Sequence, residues 1–413
     1  MKFNRSFAFR FVLLITLMTN LTDLSSRLQA DTATCGGVTT TLPFTDVMAS
    51  GFFCQIAEAY FSGLTSGTTA TTYSPGNLVT REQMAAFITR TMDQSLKRGS
   101  KRAVTEKWWT PQDANSLTLT DVGNSPQQVK FDGTDLWVAN FNSANVMRIR
   151  PSDGKLLDTW TGATSAVGIV AAMGRIFVTG NNDSGSLYMI DPTQPAGAVT
   201  TLTSSLGALP LGIAFDGSRI WTANGGSVSI VSLNPTTVTT VSTGATFVVG
   251  GILYDGANIW ATGATPVAGN FARSLLKLNS DGSIAQTVNV GIPVLSFTPN
   301  FPVFDGTNIW VPNPDSFSVS VVRVKDALGN PLATAFVLAT LTGNLFEPTT
   351  AAFDGERILV TNRFGNRLSL WKAADLTPLG FLGTGNSTSP FGACSDGLNF
   401  WITLQGSNKL ARF

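Results

Sequence analysis

The chain has 413 residues, enough for one large core or two smaller ones, and only 13% of its residues are charged. Residues 1–30 hold four of the 27 basic and one of the 26 acidic residues, so the remainder is near −2 and shows no footprint of a nucleic-acid partner. Histidine is absent, which excludes Ser-His-Asp triads, Cys-His nucleophiles and histidine-based zinc sites. The abundance of Gly, Thr, Ser and Asn favours an exported, mainly β protein.

Residues 1–30 have the pattern of an export signal. Three basic residues precede the apolar run 11–18, and Ala30 is a small residue suited to cleavage. The run is far shorter than the roughly 20 residues of a transmembrane helix. We therefore expect a cleaved signal peptide, no transmembrane segment in the mature chain, and a location in the periplasm, on the cell surface or in the medium.

Residues 31–95 predict a small helical module. Apolar residues at helical spacing cover 52–60, and a second helix begins at Thr80, with Gln83 three residues later as in a capping box. This second helix carries an apolar stripe made of Met84, Phe87, Ile88 and Met92. We expect the stripe to pack on the first helix.

The module also holds two of the three cysteines. Cys35 and Cys54 are expected to form a disulfide in an oxidising compartment, where the bond would stabilise a unit too small to be secure alone. The third, Cys394, lies in the last repeat described below, and we expect it to be a buried free thiol.

The same module resembles a single S-layer homology motif over residues 43–92. The matching blocks are 44–47 (FTDV), 63–67 (GLTSG), 73–77 (YSPGN) and 79–81 (VTR). The resemblance implies association with the bacterial cell envelope through a cell-wall or envelope glycopolymer, with Arg81 as the candidate polymer contact. The alternative is that Arg81 is an ordinary first-turn charge of a helical hairpin.

A basic linker is predicted over residues 96–111. Its first part, 96–107, lacks apolar periodicity and contains five basic residues, which is typical of a linker or a solvated face. Contact of this basic segment with anionic lipid or polymer is the alternative.

A repeated phrase organises residues 112–413. Its first copy is 129–140 (VKFDGTDLWVAN), and the seven copies place a glycine at positions 133, 174, 217, 256, 306, 355 and 397. Each copy predicts two short strands joined by a two-residue turn, and a period of about 40 residues with four strands is typical of a β-propeller. The last repeat stops after three strands, and segment 116–122 would supply the fourth, so we predict seven blades closed by an N-terminal strand.

This array resembles the seven-bladed propellers of the virginiamycin B lyase-like, NHL and surface-repeat families. Lyase-like chemistry in that group relies on a histidine base, which this sequence lacks. Asp-Gly pairs occur in six of the seven copies, the degenerate copy having Met173 in place of Asp, and they are assigned to the scaffold. The second-strand aromatic residues are expected to pack between blades; they are Trp137, Phe177, Trp221, Trp260, Trp310 and Trp401.

Any function is expected on the loop face, which carries the connections from the second to the third strand and from the outer strand to the next blade. The candidate binding residues there are Asn140, Asn181, Asn224, Asn313, Glu347, Asn362 and Arg363. Such a ring suits hydrogen bonds to a protein or glycan ligand; alternatively, the Asn side chains satisfy turn geometry and backbone groups.

These patterns predict an exported envelope protein with a non-catalytic propeller that binds or displays, and they predict no cofactor, metal or catalytic residue. One alternative is an extracytoplasmic propeller enzyme, lyase- or lactonase-like, that works through carboxylates and a metal. A second alternative is a self-assembling structural protein of the surface.

Overall fold

The computed structural model describes residues 30–35, 38–61, 64–97, 118–243, 250–267, 270–291 and 300–413. The signal-like segment 1–29 and residues 98–111 of the predicted linker lie outside these ranges. The chain divides into two compact units, Met1–Trp109 and Thr110–Phe413. None of the helices in the described ranges is long and apolar enough to cross a membrane.

In the first unit a strand hairpin precedes two helices. Strand β1 (Thr32–Cys35) pairs antiparallel with β2 (Val38–Thr41), and helices α1 (Phe53–Phe61) and α2 (Arg81–Lys97) follow. The two helices agree with the sequence prediction. The hairpin was not predicted, because its threonine-rich strands lack the apolar alternation that signals a half-buried strand.

The core of this unit is built on α1 and the segment before it. Its buried residues are Leu42, Phe44, Val47, Phe53, Ile56 and Ala57. The predicted disulfide between Cys35 and Cys54 is confirmed and links the hairpin to α1, with the two Cα atoms 5.5 Å apart.

Helix α2 begins with the predicted capping box. The Thr80 N–H donates to Gln83 Oε1 at 2.9 Å, and the Gln83 N–H donates to Thr80 Oγ1 at 3.2 Å. The predicted packing of its apolar stripe on α1 is not seen for Met84, which is 50% exposed, or for Ile88, which is 55% exposed. The hairpin and the loop containing Tyr73 cover the apolar face of α1 in its place. The side chain of Met92 lies outside the described residues.

The second unit is a seven-bladed β-propeller, as predicted, built from seven four-stranded antiparallel sheets. It begins with β3 (Thr118–Asp121), an outer strand. Blade 1 has β4 (Pro126–Phe131), β5 (Leu136–Asn140), β6 (Asn145–Ile149) and β7 (Leu156–Thr161). Blade 2 has β8 (Ala166–Ala172), β9 (Arg175–Gly180), β10 (Ser186–Ile190) and β11 (Thr200–Thr203). Blade 3 has β12 (Ile213–Phe215), β13 (Ile220–Asn224), β14 (Ser227–Leu233) and β15 (Thr236–Ser242).

The remaining blades repeat this order. Blade 4 has β16 (Ile252–Tyr254), β17 (Ile259–Val267), β18 (Asn270–Leu278) and β19 (Ile284–Asn289). Blade 5 has β20 (Val303–Phe304), β21 (Asn308–Asn313), β22 (Ser318–Lys325) and β23 (Pro331–Leu341). Blade 6 has β24 (Pro348–Phe353), β25 (Arg357–Asn362), β26 (Arg367–Lys372) and β27 (Pro378–Gly383). Blade 7 has β28 (Pro390–Ser395), β29 (Phe400–Leu404) and β30 (Lys409–Arg412).

Blade 7 takes its fourth strand from the start of the unit. Strand β3 pairs antiparallel with β30, from Thr118 opposite Arg412 to Asp121 opposite Lys409. An ion pair between Lys409 and Asp121 adds to the backbone ladder. The sheet therefore joins the two ends of the propeller segment.

The Asp-Gly connections contain three or four residues between the strands, and the prediction of a two-residue turn with Asp and Gly both at positive φ is wrong for these copies. In blade 1 the Asp132 N–H donates to the Asp135 carbonyl at 3.0 Å. Gly133 has a φ of +104°, whereas Asp132 keeps a negative φ. A two-residue turn with both residues at positive φ occurs in the degenerate copy of blade 2, at Met173 (+52°) and Gly174 (+70°).

The aspartate of the phrase serves as a side-chain acceptor. Asp132 Oδ1 accepts the N–H groups of Thr134 at 2.7 Å and Asp135 at 2.8 Å, and Oδ2 accepts the Trp137 indole N–H at 2.7 Å. The same indole bond joins Asp216 to Trp221, Asp255 to Trp260, Asp305 to Trp310 and Asp396 to Trp401. Burial disfavours the charged carboxylate, but the Trp221 indole and the turn N–H groups lower the pKa of Asp216 to about 2.

The aromatic residues of the second strands pack between adjacent blades, as predicted. Trp137 lies in one cluster with Ile169 and Ile176 of blade 2. At the junction of the chain ends, Trp401 of blade 7 packs with Val129 and Leu136 of blade 1. Each of these indoles thus combines an apolar contact across the blade interface with a hydrogen bond inside its own blade.

Buried threonines provide a second link between blades. Thr403 Oγ1 accepts the Gly392 N–H of its own blade at 2.7 Å and donates to the Gln127 carbonyl of blade 1 at 2.6 Å. Equivalent bonds to the following blade are made by Thr179, Thr262 and Thr361. Hydrogen bonds in the water-excluded interface therefore supplement apolar packing.

Candidate functional site

The structure buries four of the predicted loop-face asparagines. Asn140, Asn224, Asn313 and Asn362 end the second strands of their blades and are 0% exposed. Their amide nitrogens donate to the third strand of the same blade, to Asn145 at 2.8 Å, Ser229 at 2.9 Å, Ser320 at 3.0 Å and Ser369 at 3.0 Å respectively. The expectation that these amides form an exposed ligand-contacting ring is therefore corrected, because they are structural links within each sheet.

Asn181 is placed differently. It follows β9, is partly buried, and its amide donates to the Pro210 carbonyl at 3.3 Å. This bond links blade 2 to the loop that enters blade 3, which is again a structural role.

Glu347 and Arg363, by contrast, are brought together at blade 6. Glu347 precedes β24 and Arg363 follows β25, so both lie on the loop face. Glu347 Oε1 is 3.9 Å from Arg363 Nη1, and Arg363 Nη2 donates to Gln405 Oε1 of blade 7 at 3.0 Å. The Arg363 guanidinium is thus held by groups from two blades.

A second ion pair lies next to the first. Arg273 on β18 pairs with Asp315, which belongs to the 3₁₀ turn Pro314–Ser316 after β21. The Arg273 side chain is only 1% exposed. Burial lowers its pKa and Asp315 raises it, but a guanidinium stays protonated in proteins.

The two pairs lie side by side across blades 4 to 6 and are here named the charged row: Arg273, Asp315, Glu347 and Arg363. Burial raises the pKa of Glu347; Arg363 opposes this shift and Asp315 adds to it. Glu347 is 7% exposed, and its Oε2 has no hydrogen-bond partner within the part of the chain that the structure describes. A carboxylate with unused hydrogen-bond capacity is unusual for a buried position.

Three exposed phenylalanines lie beside the charged row and are here named the aromatic patch. They are Phe317 (45% exposed), Phe346 (49%) and Phe364 (63%). The rings of Phe317 and Phe346 are stacked, with centroids 5.1 Å apart and planes 3° from parallel. The Arg363 guanidinium lies 5.6 Å from the ring centre of Phe364 and 5.6 Å from that of Phe391, within cation–π range.

Hydrogen bonds and close packing from blade 6 hold the aromatic patch in place. The Asn362 Oδ1 accepts the Phe346 N–H at 3.0 Å, so this predicted ligand contact supports the patch. A Cβ on Gly365 would lie 3.1 Å from Phe346 Cβ, so glycine allows the two loops to approach. Phe317 and Glu347 have left-handed φ values of 46° and 55°, a strained conformation for residues with side chains.

Sequence reasoning missed the aromatic patch, Arg273, Asp315 and Gln405. These residues lie outside the repeat phrase, in segments that differ between blades, so the phrase does not predict their positions in the fold. One sequence signal could have indicated the patch: each of three loops on this face contains a phenylalanine. These are Phe317 after Asn313, Phe364 after Asn362 and Phe346 before Pro348.

The propeller axis contains a cavity of about 260 Å³ lined by the inner strands of the blades. Val167, Phe301 and Phe391, from blades 2, 5 and 7, meet at the loop-face ends of these strands. Cys394 lines the cavity and is a buried free thiol, as predicted. Burial raises the pKa of this thiol to about 12, so it is an unreactive, protonated group.

Within the described ranges, no three His, Cys, Asp or Glu side chains lie close enough to hold a metal ion. The charged row contains two carboxylates, but each faces an arginine. The side chains of this face offer hydrogen bonding, ion pairing and contact with aromatic rings.

Comparison with known proteins agrees at the level of the fold. No protein-family model and no curated protein sequence matches this chain. Among solved structures, Kuenenia stuttgartiensis hydrazine synthase is similar, with a TM-score of 0.52, 15% identity, and coverage of 74% of this chain and 97% of that one. The β-propeller domain of Myceliophteria thermophila Cps50 (Swd1) has a TM-score of 0.56, 9% identity, and coverage of 72% of this chain and 99% of that domain. At these identities the similarity establishes the propeller fold alone.

The raised pKa of Glu347 leads to a prediction on stability. The folded chain holds the Glu347 proton more tightly than the unfolded chain, so this residue favours folding at low pH and loses that contribution as the pH rises through its folded pKa. We expect Glu347→Gln to gain stability relative to the wild type as the pH is raised from about 4 to about 7. Urea unfolding at both pH values measures this difference. Glu356→Gln, an exposed position in the same blade, is the control, and an equal pH response in both variants would contradict the prediction.

Proposed function

We propose that this chain is an exported bacterial envelope protein, in which the first unit associates with an envelope glycopolymer and the propeller is a non-catalytic binding scaffold. The observation that carries the binding role is the aromatic patch beside the charged row. Exposed large apolar groups grouped on one face are typical of interaction sites. The ligand face is then the loop face over blades 5 to 7, with Glu347 and Arg363 as its polar centre.

The first unit supports the envelope role through the way its S-layer-homology-like blocks meet. The Asp46 carboxylate of the first block accepts the N–H groups of Tyr73 at 2.8 Å and Ser74 at 2.7 Å from a later block. Phe44 packs on Tyr73, with ring centroids 5.6 Å apart. Arg81 is exposed at the first position of α2, where it is accessible to an acidic polymer. The disulfide is consistent with an oxidising compartment.

A second candidate function is an extracytoplasmic propeller enzyme that uses Glu347 as a general base. The observation in its favour is the raised pKa of this buried carboxyl, since catalytic carboxylates are commonly shifted in this direction. Elemental analysis of the purified protein separates the two functions. A stoichiometric divalent ion that is lost in Glu347→Gln would favour the enzyme.

The envelope role is tested by sedimentation of the full chain with isolated bacterial envelopes. We expect the wild type to co-sediment and Arg81→Ala to lose most of this binding, because the exposed guanidinium is the proposed polymer contact. Lys372→Ala, an exposed cation in the propeller, is the matched control and should bind as the wild type does. A wild type that stays in the supernatant, or equal binding by the two variants, would refute the envelope role.

Higher oligomers of the free chain would favour the structural, self-assembling alternative.

A further inference from the structure

The aromatic patch differs from other exposed apolar residues of the propeller in its arrangement. On the outer strands, Phe336 and Phe381 project singly from different blades, and no stacked partner is seen for either in the described ranges. In the patch, Phe317 of blade 5 and Phe346 of blade 6 stack on each other, and Phe364 precedes Gly365, the residue that approaches Phe346. The loop face therefore carries a group of exposed ring surfaces.

The polar groups next to these rings include one buried donor and one buried acceptor that are unpaired within the described ranges. Arg363 Nε is a buried donor and Glu347 Oε2 is a buried acceptor. Neither atom has a hydrogen-bond partner in the described ranges. The Arg363 side chain is 31% exposed and the Glu347 side chain 9%, so Arg363 is the member of this pair that a ligand can reach. Because the charged row contains two cations and two anions, the face as a whole attracts neither a strongly acidic nor a strongly basic ligand.

These properties select the chemistry of a ligand. Glu347 is buried, so a ligand meets the arginine donor, and a neutral hydroxyl can accept a hydrogen bond from it. A sugar ring carries several hydroxyls around its edge and an apolar C–H surface on its face. An acidic polymer would be repelled by Glu347 and Asp315, and a purely apolar ligand would leave the polar groups unpaired.

We propose that the aromatic patch and Arg363 form a binding site for a neutral glycan. Sugar rings lie on the exposed phenylalanine rings, and their hydroxyl oxygens accept hydrogen bonds from the Arg363 guanidinium. Glu347 and Gln405 are positioning residues, because they hold Arg363 in place from blades 6 and 7. The site rests on the proposed function and names its ligand class; it is separate from the polymer contact at Arg81.

The test is calorimetric titration of the full chain with three neutral tetrasaccharides, made of β-1,4-linked glucose, β-1,4-linked N-acetylglucosamine and α-1,6-linked mannose. We expect at least one of them to bind, and Phe346→Ala and Phe364→Ala each to weaken that affinity by about tenfold or more. Phe381→Ala removes an equally exposed ring (57%) from the outer strand of the same blade and should bind as the wild type does.

Thermal unfolding of each variant shows whether it folds. If Phe346→Ala does not, Phe364→Ala decides the outcome, because its ring is the most exposed of the three. Binding of none of the sugars, or equal binding by the patch variants and Phe381→Ala, would overturn the glycan site.

A peptide control distinguishes this failure from failure of the proposed function. Titration with the soluble stem peptide of bacterial peptidoglycan, which has no sugar ring, should give no binding. If the peptide binds through Phe346 while no sugar does, the ligand class is wrong but loop-face binding stands. If isolated envelopes also fail to bind the full chain, the proposed function itself is wrong.

Discussion

Trp401→Ala is expected to destabilise the propeller by about 3–5 kcal/mol, because it removes a large, fully buried side chain from a packed interface. Trp401 is 0% exposed and lies between blade 7 and blade 1, where the two ends of the propeller segment meet. The variant also leaves Asp396 Oδ2 without its indole donor at 2.7 Å. Urea unfolding followed by far-UV circular dichroism measures the free energy of unfolding.

Two further variants separate the causes of this loss. Trp401→Phe keeps most of the apolar volume and removes the indole hydrogen bond, so we expect it to cost about 1–2 kcal/mol. Leu398→Ala, a 44% exposed position in the same turn, should change the stability by less than about 0.5 kcal/mol. A cost for Trp401→Ala as small as that for Leu398→Ala would contradict the packing described here.

The second large effect is expected for the strand that joins the chain ends. Leu119→Pro combined with Thr120→Pro places a proline at two neighbouring positions of β3, so at least one substitution removes a backbone donor that faces β30. We expect a loss of about 3 kcal/mol or more, together with exposure of the β30 edge. An open edge can pair with another chain, so oligomers should appear in size-exclusion chromatography.

A matched double variant in the outer strand of blade 2, Thr201→Pro with Leu202→Pro, provides the control. It disturbs an outer strand of similar length that does not join the chain ends. We expect it to lower stability less and to remain monomeric. Equal behaviour of the two double variants would show that β3 is only one outer strand among seven.

The repeat phrase carried most of the fold information. Its alternation and period predicted seven blades and the buried indoles, since burial at Trp137 or Trp401 follows from the same strand register in every blade. The turn was predicted wrongly from this phrase. An Asp-Gly pair looks the same in the sequence whether it forms a two-residue hairpin turn or whether the aspartate side chain accepts three N–H groups, as it does here. One of these three donors is the indole N–H of Trp137, which lies five residues after Asp132 in the sequence.

The candidate site was only partly predictable. Glu347 and Arg363 stood out because charges are rare in this chain, and the structure places them together. The asparagines were misjudged because the side chain at the last position of each second strand is buried, and its amide donates to the third strand of the same blade. Phe317 and Phe346 come from loops of different blades, and their stacking follows from the relative placement of those blades, which no local pattern in the sequence encodes.

The central claim is that ligands bind on the loop face and that the Asp-Gly turns on the opposite face are scaffold. Hydrogen–deuterium exchange of the full chain, measured with and without isolated envelope glycan, tests it most directly. We predict that the ligand slows exchange in the loop segments 314–317, 343–347 and 362–366, and leaves the turns 132–135, 305–308 and 396–399 unchanged. Protection of the turns with no change in the loop segments would contradict the claim.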